Sequence, residues 1–162
     1  GHHAQPVRTA PAPTRPAVVA DLAHPAAMIP HDTTGEAARE LFADRPELTG
    51  LVLVDDHQRP VLSLNRDRFM LAITGPFGHS LYARRRAADL GDLPRTLGMG
   101  ASLAEAIDMV ADTNAQRMYD DIVVVDGPGR CHGVLRIGDL VRDMAQRQSA
   151  PPRRPQPSPR AS

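Results

Sequence analysis

The chain states one pattern twice. From Leu51, "LVLVDDHQRPVLSLNRDRF" carries an apolar run into an aspartate, then a turn, a second apolar run, and an acid beside Phe69. From Ile122, "IVVVDGPGRCHGVLRIGDLV" keeps the same order. A helix signal precedes each copy. "TTGEAARELFADR" offers Thr33 and Glu36 as a capping box, with Ala37, Ala38, Leu41 and Phe42 on one face. "SLAEAIDMVADT" offers Ser102 and Glu105, with Leu103, Ala106, Ile107 and Val110. The two boxes stand 69 residues apart, and Asp67 and Asp139 stand 72 apart, a drift that small loop insertions explain.

The runs 51–54 and 122–125 are unbroken, which predicts strands covered on both faces. Each ends in aspartate, Asp55 or Asp126, and turns follow in "DHQRP" and "GPGRCH". Second strands are expected at 61–64 and 133–137, and second helices from near Asp67 and Asp139. Shorter strands are expected in "AAMI" before Pro30 and "RTLGM" before Gly100. Each copy then reads β-α-β-β-α over about fifty residues, in the range where a repeat announces an architecture. A unit of that size has a marginal core, and two packed face to face hide the apolar sides that one cannot. The expected fold class is α/β (α+β): two β-α-β-β-α repeats with pseudo-two-fold symmetry. The expected boundaries are 17–74 for the first repeat, 75–86 for a connector and 87–148 for the second. Residues 1–16 and 149–162 are rich in Pro and are expected to be disordered tails.

Composition narrows the function. Formal net charge is zero, which argues against a generic grip on nucleic acid or acidic membrane. All 19 basic residues are Arg, a side chain whose fork matches oxyanions; coding bias accounts for the same fact. Cys131 is the only cysteine, so no internal disulfide and no thiol-based zinc site is expected, as suits a cytoplasmic protein. The histidines (His2, His3, His24, His31, His57, His79, His132) show no metal-ligating spacing. No stretch approaches membrane-spanning length, and the first residues lack the apolar core of a signal peptide. There is no G-x-S-x-G, no P-loop and no supported Cys–His arrangement, so the chain is read as no enzyme.

The doubled order, the capped "T/S-x-x-E-A" helix, the "h-h-V-V-D" strand and the "G-h-h-x-x-x-D-L/F" step resemble a tandem CBS-domain pair, over roughly residues 17–146. "NRDRF" and "GPFGHSLYARRR" also resemble the pairs ahead of bacterial diguanylate-cyclase and phosphodiesterase domains. The resemblance implies a regulatory, non-catalytic module with two clefts between the repeats. In many members such clefts bind AMP, ADP, ATP or S-adenosylmethionine, and the module acts on a fused or partner protein. It implies a homodimer as well. It also implies that Asp67 and Asp139 accept the ribose hydroxyls, for which an ionised carboxylate has two acceptor oxygens; a helix N-cap accounts equally for an Asp there. The family's hydroxyl residue three positions earlier is replaced here by Leu64 and Arg136, and Arg136 offers a charged phosphate donor in its place. Strand alternation turns the nearby Ser63 to the other face. Adenine is expected near Gly50 and Leu51 in one copy, and Asp121 and Ile122 in the other; buried strand starts are the plain alternative. "YARRR", Tyr82–Arg86, reads as a solvated basic turn, or as phosphate contacts at a cleft mouth. A ligand-free dimerisation scaffold, and nucleic-acid association through arginines, are the other functions considered.

Overall fold

The structure is a computed structural model and describes residues 17–149. The expected tails fall outside them, except for Ser149. The elements are α1 (Val19–Leu22), β1 (Met28–Pro30), α2 (Gly35–Asp44), β2 (Gly50–Val54), β3 (Pro60–Asn65), α3 (Arg66–Thr74), α4 (Gly78–Tyr82), β4 (Arg95–Gly98), α5 (Leu103–Asp112), β5 (Ile122–Val125), β6 (Cys131–Leu135) and α6 (Ile137–Ser149). Single 3-10 turns lie at Ala87–Leu90 and Ala115–Arg117.

Two three-stranded sheets form, ordered β1-β2-β3 and β4-β5-β6. In each, the first pair is parallel and the second antiparallel, and a register shift falls at the same place, between Leu53 and Val54 or between Val124 and Val125. The duplication therefore extends to an irregularity of the ladder. Alternation sorts the central strands. Leu51 and Leu53 pack under α2 and α3 with Phe42, Phe69 and Ile73. Ile122 and Val124 pack with Leu103, Ala106 and Leu140. The residues between them turn the other way, so that Val52 and Val54 of one sheet meet Val123 and Val134 of the other. That is why both runs are apolar throughout. Each fully buried valine contributes about 1.5 kcal/mol or more, and this middle layer exists only when both repeats are present.

Two local readings shift by one residue. The N-cap of α2 is Thr34, whose hydroxyl accepts from the Ala37 amide at 3.2 Å. Thr33 instead donates its hydroxyl to the Pro30 carbonyl, and Glu36 turns to Arg39 and His79. The box at Ser102 and Glu105 forms as expected. Thr34 and Ser102 are thus counterparts 68 residues apart, whereas Leu51 and Ile122 are 71 apart. The loop after α5 is therefore three residues longer than the loop after α2.

The offset of 71 holds into the next helix. Asn65 matches Arg136, Arg66 matches Ile137, and the buried Phe69 matches the buried Leu140. The counterpart of Asp139 is consequently Arg68, not Asp67. Asp67 is the second residue of α3, and the cap is Asn65, whose side chain accepts from the Arg68 amide at 3.0 Å. In the second repeat β6 ends at Leu135, two residues before the expected limit, because Ile137 already opens α6.

The segments leading into each repeat are exchanged. Val18 bridges to Ser102 and His24 to Val134, so residues 17–24 lie on the second repeat, with Val19 in its core. Arg86 bridges to Thr34 and Asp92 to Ser63, so residues 86–92 lie on the first, with Ala87 in its core. All four contacts obey the repeat's own offsets. Gly133 permits one of them: a Cβ there would stand 2.5 Å from the His24 carbonyl oxygen. α4 and the turn after it also pack on the first repeat, and Arg84, Arg85 and Arg86 are exposed there.

Candidate functional site

The second cleft is built at the head of α6. Asp139 comes from its first turn, and His24 reaches it from the exchanged segment, Nε2 to Oδ2 at 2.6 Å. Arg142, one turn along α6, holds the other oxygen. Burial pushes the Asp139 carboxyl up, but the hydrogen bonds from Arg142 and His24 outweigh it and leave the carboxyl below its ordinary range. It is ionised at neutral pH and can accept two hydroxyl donors. Asp139, Arg142 and His24 line a cavity of about 310 Å3 with Leu22 and Ala23.

On the other side of the same helix head, Arg136, Ile137 and Gly138 line a second cavity of about 250 Å3. Its facing wall is Thr49, Asn65, Asp67 and Asp121. Arg136 Nε is buried and has no hydrogen-bond partner among the described residues. An unsatisfied buried donor costs about 1–3 kcal/mol, so this guanidinium lacks an acceptor. Asp121 accepts from the Thr49 hydroxyl at 2.8 and 2.9 Å. Burial dominates its environment and raises its carboxyl above the usual range.

The first cleft differs. Arg68, at the place of Asp139, forks onto the Asp120 carboxylate at 2.6 and 2.8 Å and onto Asp92 at 2.6 Å. Asp92 is the counterpart of His24, so the same contact recurs with the carboxylate on the other partner. Arg68 also donates to the Gln116 carbonyl, within the longer loop after α5. Asp120 is buried, yet the hydrogen bonds from Arg68 and Arg117 hold its carboxyl low.

The sequence-expected residues therefore divide. Asp67, Asp121 and Arg136 share one cavity, and Asp139 lies in another. Gly50, Leu51 and Asp121 line a crevice of about 10 Å3, and Ile122 is fully buried. That space is the size of one water, and a purine does not fit it. Sequence reading missed His24, Arg68, Asp92 and Asp120. Matching the buried Phe69 to Leu140 is the signal that places Arg68 opposite Asp139.

Two like sheets with crossed leading segments and clefts at the helix heads define a paired-repeat α+β module. Residues 91–146 match the CBS domain family. Solved CBS-pair structures share the fold. A CBS domain-containing protein from Bacillus anthracis str. Ames Ancestor is 15% identical, with TM-score 0.67 over 80% of this chain and 94% of that one. The CBS-pair protein CBSX2 from Arabidopsis thaliana is 24% identical, with TM-score 0.63 over 82% and 97%. The CBS domain protein PAE2072 from Pyrobaculum aerophilum, complexed with AMP, is 19% identical, with TM-score 0.64 over 80% and 99%. A search of the curated proteins finds no match. Among the described residues no helix is long and apolar enough to cross a membrane.

Proposed function

We propose that this chain is a non-catalytic, cytoplasmic regulatory module that holds an adenosine nucleotide in the second cleft, at the head of α6, where the Arg136 cavity is walled by both CBS repeats. The observation that carries it is the head of α6. There an unpartnered guanidinium, Arg136, and an ionised carboxylate, Asp139, stand three residues apart and face two cavities. A ribose diol satisfies the carboxylate, and a phosphate satisfies the guanidinium with charge-assisted bonds. The AMP complex of PAE2072, which shares the fold, supports the choice of ligand class. Binding ties the repeats in one orientation and favours whichever state of a fused or partner protein, or of a homodimer, goes with it.

The test is thermal and urea denaturation of the full chain and of Asp139→Ala with AMP, ADP, ATP and S-adenosylmethionine. At a free concentration 100 times Kd, the bound nucleotide should stabilise the fold by about 2.7 kcal/mol, and Asp139→Ala should lose that gain. Absence of binding by all four compounds leaves the ligand-free scaffold, which the internally paired Arg68 favours.

A further inference from the structure

The two clefts of a duplicated fold begin as equals, and here one has been rebuilt around a charge of its own. We propose that Arg68 is an internal plug that occupies the first cleft, so that the module takes ligand in the second cleft alone. The inference rests on the reading of the second cleft as a nucleotide site and adds which cleft works and how many ligands one chain holds.

Three observations carry it. Arg68 stands where the second repeat has Asp139, and a guanidinium has no acceptor to offer a ribose. It is gripped by two carboxylates, Asp120 and Asp92, and by the Gln116 carbonyl. A permanently charged fork held in this way does not give way to a neutral hydroxyl. In the second cleft the partner of Asp139 is His24, a side chain 45% exposed that makes a single hydrogen bond to it. Finally, the three residues added after α5 fall in the loop that supplies Gln116, Arg117 and Asp120. Arg117 also donates to the Leu93 carbonyl, just past the exchanged segment. The longer loop thus closes on Arg68 through Gln116 and Asp120.

Native mass spectrometry of the full chain with saturating AMP counts the sites. One AMP per chain is expected. Two in the wild type overturn the plug and leave the nucleotide reading standing. The variant Arg68→Asp with Asp92→His and Asp120→Thr gives the first cleft the counterparts of Asp139, His24 and Thr49. It should take one AMP more than the wild type, whatever the wild-type count; an unchanged count overturns the proposal. If the wild type takes none and this variant one, the reading of the second cleft fails while the plug holds. Should the triple variant not fold, Arg68→Ala is counted instead, at tenfold higher AMP. A second bound AMP is again the expected result, and its absence again the contrary one.

Discussion

Asp120 and Asp121 are neighbours in sequence, and their surroundings push their carboxyls in opposite directions. Both are taken out of water at the head of β5. Asp120 receives Arg68 and Arg117 and is held below the ordinary value; Asp121 receives only the Thr49 hydroxyl, and burial holds it above.

The two therefore give stability opposite pH slopes. The low Asp120 contributes stability that is present above its unfolded pKa of about 3.9 and is lost as pH falls through the folded value. Asp121 binds its proton more tightly folded than unfolded, so stability declines as pH rises from about 3.9 through its folded value. Asp121→Asn keeps an acceptor for Thr49 and removes the charge. Urea denaturation should find the variant more stable than the wild type at pH 7, with the difference vanishing near pH 4. A variant less stable at pH 7 would contradict the assignment.

The two hairpins give a second prediction. Asp55 and Asp126 each accept an amide four residues on, from Arg59 and Arg130, and so close equivalent turns. The turn residue before that amide has positive φ in both, 63° at Gln58 and 89° at Gly129. A side chain in that region costs about 1–2 kcal/mol. Gly129→Ala should lower stability by about 1 kcal/mol, while Gln58→Gly should raise it slightly, the relief being partly offset by the freedom of an unfolded glycine. Thermal melts of the pair should move in opposite directions.

A third prediction concerns the exchanged segment. In Gly133→Ala, the new methyl would press on the His24 carbonyl and push residues 17–24 off β6. Overpacking of this kind costs about 1–3 kcal/mol. Hydrogen exchange should quicken at His24 and Val134, whose amides bond each other's carbonyls at 2.8 Å, while the β2–β3 ladder keeps its protection. Equal loss in both sheets would mean that the segment does not belong to the second repeat.

Much of this architecture was legible before any coordinates. The two unbroken strands announced coverage on both faces, and the valines from the two sheets supply it. The Ser102 box and both terminal aspartates also found their places. What failed was register, by one residue at Thr33 and Asp67 and by two at the end of β6. Thr33 and Thr34 are both hydroxyls, and "RDR" offers an acid beside the position that matters, so local chemistry did not distinguish them. Burial does, because Phe69 and Leu140 must both reach a core. The crossing of the leading segments had no sequence signal at all. Which sheet a short apolar stretch pads depends on a contact far along the chain, such as Val18 with Ser102.

That crossing has a mechanical sequel. Motion arriving at residue 17 enters the distant half of the molecule first, where His24 rests on β6 and touches Asp139. The near half is reached next, along residues 25–27 into β1 and across the seam of valines. A tug along the front of the chain is thus delivered straight to the cleft that retains its acid, and a molecule seated there would stiffen the same lever from its other end.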